Sequence, residues 1–174
     1  MGTRLGLDGY PVHSLFRIPR DPRVRATISR FLPNFHQKII LSIPRRMAVK
    51  RILHVLRKNE IVFILADNLK RGKVDSRLFG QRVCSARGPV SLALRSGAPV
   101  VPVYVVRTYE GKLHLIIEPE MTLTRNGSLS ADIANNTQRV VGYLENLIRR
   151  YPDQWNWLTI RMRRITRPAG AAVS

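Results

Sequence analysis

Three places in this chain of 174 residues carry residue types that could bind or move a charged group. The first is Asp67-Asn68, directly after the apolar run Ile61–Ala66. That run is rich in aliphatic residues and free of charge, as strands buried on both faces of a sheet are. A polar pair just past the carboxyl end of such a strand lies where open α/β sheets place their ligands. An Asp there can equally serve only to close a turn. The second place is Arg87-Gly88-Pro89, at the start of a short apolar helix. Backbone N–H groups and the helix dipole could hold an anion there, although Gly88 and Pro89 also suit plain helix initiation. The third is Trp155 and Trp157, followed by Arg161, Arg163 and Arg164. Tryptophan favours the headgroup level of a bilayer and arginine meets anionic lipid, so this segment suits a membrane interface. The same Trp-x-Trp could instead seal a core with the arginines outside.

Other chemistry is sparse. Cys84 is the single cysteine, so no intrachain disulfide can form, and a reducing compartment is compatible with the sequence. Without a cysteine pair or a His-Glu-x-x-His motif, no metal site is expected, and no cofactor is implied. His13 stands in an apolar strand and reads as packing; His54 lies near a helix end. The charge is more telling: 30 Lys and Arg against 11 Asp and Glu give +19, which points to an anionic partner. Nucleic acid, an anionic membrane surface and a phosphorylated substrate all satisfy it, as does a solvated basic face with no specific partner. No run of about 18 apolar residues is present, so no bilayer-spanning helix is expected. The first twenty residues lack the apolar core of a signal peptide.

The elements that must position these residues alternate between strand and helix. Strands are expected at 10–18, 38–43 and 61–66. Helices are expected at 22–31, with Asp21 as N-cap and Pro22 first in the helix, and at 44–58. A basic loop leads to Leu78-Phe79-Gly80 and then to the helix that opens at Gly88 and stops before Gly97. With the run 99–106, this reads as a parallel βαβ-type unit. Tyr109-Glu110-Gly111 signals a hairpin between 100–108 and 112–118. A loop with Asn126-Gly127 precedes a helix at 131–150, which Tyr151-Pro152 ends. The fold class is α/β, a mostly parallel mixed sheet flanked by helices. Residues 1–166 form one domain and the Pro/Gly/Ala-rich residues 167–174 a loose tail. Only a helix remnant precedes the first strand, so the chain is expected to start in mid-domain, with an N-terminal part missing.

Several segments, taken in order, resemble the bacterial lipid A biosynthesis acyltransferases of the lauroyl/myristoyl type, within the lysophospholipid acyltransferase superfamily. They are GYPVHSLFR (9–17), the strand ending in Asp67-Asn68, LFG (78–80), ARGPVSLALRSGAPVVPV (86–103) and PDQWNWLTIRMR (152–163). Where the family has Asp-Gln, Phe-Phe-Gly and a His-Arg pair after the tryptophans, this chain has Asp67-Asn68, Leu78-Phe79-Gly80 and Thr159-Ile160 followed by Arg161. The resemblance implies a glycerolipid-acyltransferase-like fold, here a partial acyltransferase domain. It also implies transfer of a fatty acyl chain from acyl carrier protein or coenzyme A to a lipid A precursor hydroxyl. The acceptor would be an anionic glycolipid. The place would be the cytoplasmic face of the bacterial inner membrane, with this chain bound peripherally.

The resemblance further implies a histidine followed, with four residues between, by Asp or Glu, as general base and its orienting carboxylate. At that offset His13 has Ile18, His36 has Leu41, His54 has Asn59 and His114 has Pro119, so no catalytic residue is assigned and no turnover is expected. The implied substrate-binding residues are Arg17, where a guanidinium could hold a phosphate or a developing negative charge, with Asp67, Asn68, Arg87 and Gly88. Trp155, Trp157, Arg161 and Arg163 are the expected membrane-facing set. Two other readings stay open. One is a nucleic-acid-binding module, which the charge allows but no recognisable motif supports. The other is a non-catalytic lipid-binding protein descended from the enzyme.

Overall fold

The computed structural model describes residues 1–157 except 18, 20, 32, 33, 35, 68, 70 and 71. The chain divides into two compact units, one of residues 1–65 and 91–122, the other of 66–90 and 123–174.

The first unit is built on a parallel sheet of β1 (Val12–Phe16), β2 (Lys38–Leu41) and β3 (Ile61–Phe63), in the order β2-β1-β3. Its register sets His13 opposite Lys38 on one side and Val62 on the other. Helix α1 (Gly2–Leu7) precedes β1, α2 (Pro22–Phe31) links β1 to β2, and α3 (Arg45–Arg57) links β2 to β3. Asp21 starts α2 by accepting the N–H of Arg23 at 2.8 Å, with Pro22 first in the helix as expected. Helix α3 buries Ala48, Ile52 and Val55, spaced i, i+4, i+7 along one stripe. These meet Ile40 of β2 and Leu92, with Leu15, Val62 and Ile64 packed against them. Leu92 belongs to α4 (Gly88–Ser96).

The expected strand–helix–strand unit takes a different form. Beyond α4 the apolar run becomes a continuous strand only at Val103, because Pro99 and Pro102 have no N–H for a ladder. Strand β6 (Val103–Arg107) pairs antiparallel with β7 (Leu113–Ile117), so among the described residues it does not join the parallel sheet. Val100 bridges Met121 at the open end of this hairpin.

The second unit packs a hairpin on a long helix. Strands β4 (Val74–Leu78) and β5 (Gln81–Ser85) occupy the stretch expected to be loop. They are joined by Phe79 (φ 50°) and Gly80 (φ 74°), and positive φ at both central residues is what the tight primed hairpin turn requires. Glycine meets that need freely, whereas a left-handed Phe79 costs about 1–3 kcal/mol unless its surroundings hold it. Leu78 and Val83 face α5 (Leu129–Arg150) and are fully buried with Leu69, Val141 and Ile148. Gly72 lies against β5 and donates its N–H to Cys84 O at 3.1 Å; a Cβ there would sit 1.8 Å from Ser85 O.

Side chains fasten the loops of this unit to α5. Ser128 caps the helix by accepting from Ala131 N. Buried Asp132 accepts from the N–H groups of Asn126 and Gly127, both at 3.1 Å. Asn136 is fully buried; it accepts from Thr124 N at 2.9 Å and donates to Thr124 O and Asp132 O at 2.8 Å each. Gln138 accepts from Arg77 N at 2.7 Å and donates to Arg77 O at 3.0 Å. Its amide thereby occupies the outer edge of β4 as a neighbouring strand would.

Candidate anion-binding site

Arg17 directly follows β1 at the carboxyl end of the parallel sheet, and it is exposed. There Ser42 N donates to Phe16 O at 2.8 Å, carrying the β1–β2 ladder one rung past the strands. The chain then turns through Pro44 into α3, so the first turn of α3 starts from this same end of the sheet. Arg45 and Arg46 open that helix and are exposed. Pro44 supplies no side-chain cap, and its carbonyl takes the N–H groups of Met47 and Ala48 at 3.1 Å each, so among the described residues the N–H groups of Arg45 and Arg46 are left to solvent or a ligand. Among the described residues, no ion pair engages Arg17, Arg45 or Arg46. Unpaired guanidinium groups and the positive end of a helix at one sheet terminus can hold a phosphate group. In the sequence Arg45 and Arg46 are simply two of the chain's 30 basic residues. Their position at the sheet terminus depends on β2 lying parallel to β1.

The remaining expected site residues that the structure describes lie in the second unit. Asp67 is exposed and stands near the start of that unit, so it and Arg17 belong to different units. Arg87 is half-buried beside Gly88, the first residue of α4, and nothing lies within 4 Å of where a Cβ on Gly88 would be. An approaching anion would therefore find the backbone there uncovered. Asn68, Arg161, Arg163 and Arg164 lie outside the described residues.

The two tryptophans differ. Trp155 is half-buried against the core around Leu78 and Ile148, as the sealing role requires. Trp157 is 48% exposed; its Nε1 donates to Pro152 O at 2.9 Å and its ring lies 6.0 Å from that of Phe79. The Arg149 guanidinium sits 4.9 Å above the Phe79 ring, and Glu145 accepts the Phe79 N–H at 2.7 Å. These contacts hold the left-handed residue of the hairpin turn in place. Arg149, and then the Phe79 N–H, keep the Glu145 carboxyl below the usual glutamate range.

One polar pair was hidden in the sequence. His13 is buried, and its Nε2 meets the Glu60 carboxylate in a short hydrogen bond. No described group partners its Nδ1. The bond from His13 lowers the Glu60 carboxyl below the usual range; partial burial opposes this and the fields of Lys38 and Lys58 add to it. A histidine on a carboxylate is the arrangement of an oriented general base. Its position argues otherwise: His13 is near the amino end of β1 and Glu60 immediately precedes β3. The pair therefore marks the opposite end of the sheet from Arg17 and ties two strands together. No spacing rule could have found residues 47 positions apart.

Residues 25–164 match the family described as bacterial lipid A biosynthesis acyltransferase. The match covers well over half of the chain, and the chain belongs to that family. It includes the segments around Asp67, Gly88 and the tryptophans, while GYPVHSLFR (9–17), with Arg17, lies before it. No curated protein matches the chain. Among the described residues no helix is long and apolar enough to cross a membrane, and no group of three His, Cys, Asp or Glu is placed to hold a metal ion.

Proposed function

We propose that this chain binds the phosphorylated acceptor in a lipid A acyl transfer. The donor is a fatty acyl thioester of acyl carrier protein or coenzyme A, and the acceptor an acylated, phosphorylated glucosamine disaccharide. In the reaction a hydroxyl oxygen attacks the thioester carbonyl and an ester forms. The C–S bond breaks and the thiol leaves, while a general base takes the hydroxyl proton. The family match over residues 25–164 carries this reading. Arg17 and the start of α3 are the phosphate-holding groups, and Arg87-Gly88 is a second anion contact.

No histidine here has a carboxylate at the family's spacing, so this chain alone is expected to bind acceptor without turning it over. Acyl transfer from labelled acyl carrier protein to a bisphosphorylated lipid A precursor tests the second half of that statement. Clear product from this chain alone would refute it. Direct binding of the same precursor tests the first half. Arg17→Ala should weaken it by about tenfold or more, the value of a charge-assisted hydrogen bond. Equal affinity for a dephosphorylated precursor would remove the proposed role of these arginines.

A further inference from the structure

Helix α2 is unlike the other helices of its unit. Of its described side chains, only Ile28 is half-buried and the rest are exposed, including Val24 at 44% and Phe31 at 52%. Val24, Thr27, Ile28 and Phe31 fall at i, i+3, i+4 and i+7, one apolar stripe along the helix. Thr27 is exposed, and its hydroxyl is already engaged by Arg23 O at 3.0 Å, which lowers its polarity within the stripe. Turning 100° per residue places Arg25 on one flank of the stripe and Arg23 with Arg30 on the other. An apolar stripe left uncovered and edged on both sides by arginine matches a helix lying in the plane of an anionic bilayer, its long cations reaching up to the headgroups.

We infer that α2 is an interfacial helix that docks this chain on an anionic lipid surface, stripe inward and arginines at the phosphate level. Charge decides the occupant. From residue 20 to 58 the sequence has eleven Lys and Arg and a single acid, Asp21. A second copy would set like charge against like, whereas a surface of anionic lipid would complement all of it. The outer face of α3 continues the pattern, with Met47, Lys50, Arg51, His54, Arg57 and Lys58 exposed on one side. Helix α2 leaves the sheet from the same terminus as Arg17. Docking through α2 therefore brings that terminus to headgroup level, where the phosphates of a membrane-held glycolipid lie. The docking itself does not depend on the acyl-transfer reading.

The test is flotation of the whole chain with vesicles of phosphatidylcholine, alone or containing one-quarter phosphatidylglycerol, alongside hydrogen exchange. Binding should need the anionic lipid, weaken as salt is raised, and slow exchange across residues 22–31. Replacing Arg23, Arg25 and Arg30 by Gln should cost about fivefold in affinity for each charge removed. Phe31→Asp should cost at least about tenfold. These side chains are exposed, so the urea midpoint and the far-ultraviolet spectrum should hardly change. Vesicle protection confined to residues 152–157 would overturn the assignment. So would protection of 22–31 that grows with protein concentration without lipid, or that an acidic acyl carrier protein produces and vesicles do not.

Discussion

The two units place their charged and polar groups by opposite means. In the second, polar side chains turn inward and hold backbone: Asn136 holds Thr124, Asp132 holds Asn126 and Gly127, Gln138 holds Arg77, and Glu145 holds Phe79. In the first, backbone pairing, an aliphatic core and the inward His13–Glu60 bond hold the sheet, while the cations of α2 and α3 face outward. A buried polar group must find a partner, so each inward one fixes a loop. An outward cation carries no such obligation and remains free for a ligand. The contrast gives polar groups an architectural use in the second unit and leaves the cations of the first to the anion binding proposed above.

Mutations can break or sharpen that contrast. The largest effect should come from the cores that both units share as a device. Leu78→Ala and Ile52→Ala should each destabilise by about 2–5 kcal/mol in urea unfolding, because both side chains are almost wholly buried. Next is Asn136→Leu, which keeps the volume but strands the N–H and C=O of Thr124; a loss of about 3 kcal/mol is expected. Should that variant be as stable as the parent, the loop fastenings of the second unit would be incidental. Gly72→Ala should cost about 1–3 kcal/mol, since its methyl group meets the β5 backbone. Gln138→Ala should cost about 1 kcal/mol, with faster hydrogen exchange at Arg77 as its local sign.

The smallest expected effect is a change in pH dependence. Glu60 is depressed in the folded chain relative to its ordinary 4.5, so its contribution is fully present above that value. It is lost as pH falls through the lower folded value. Glu60→Gln should flatten stability against pH in the acid range below about 4.5, the unfolded reference. Lys38, opposite His13 across the β1–β2 pair, and Lys58, two residues before Glu60, supply the other nearby charges. A fold-stability profile with unchanged acid slope would show that the His13–Glu60 bond forms without holding the sheet.

Elements with strong local signals were legible in the sequence. Asp21-Pro22 fixed the start of α2, and Tyr109-Glu110-Gly111 marked the turn between β6 and β7. The β4–β5 hairpin was not legible, for two physical reasons. Two of its inward positions are Ser76 and Ser85, which blur the alternation of apolar and polar residues. Its turn carries a left-handed Phe79 in place of the usual Asn or Gly, held there by the core around Leu78 and by contacts with Glu145, Arg149 and Trp157. At the site, Arg17 and Gly88 could be placed at element ends by pattern alone. The gathering of Arg17 with Arg45 and Arg46 could not, since it follows from strand direction. The bond between His13 and Glu60 likewise needs the β1–β3 register, a long-range fact.

The side chain of Gln138 has one more consequence. Hairpin borders normally present free N–H and C=O groups, onto which an extended segment from another molecule can zip. At Arg77 both groups are already engaged by one amide from the same chain. A foreign strand would first have to evict it, so this rung is closed to fibre growth while the helix beneath stays folded.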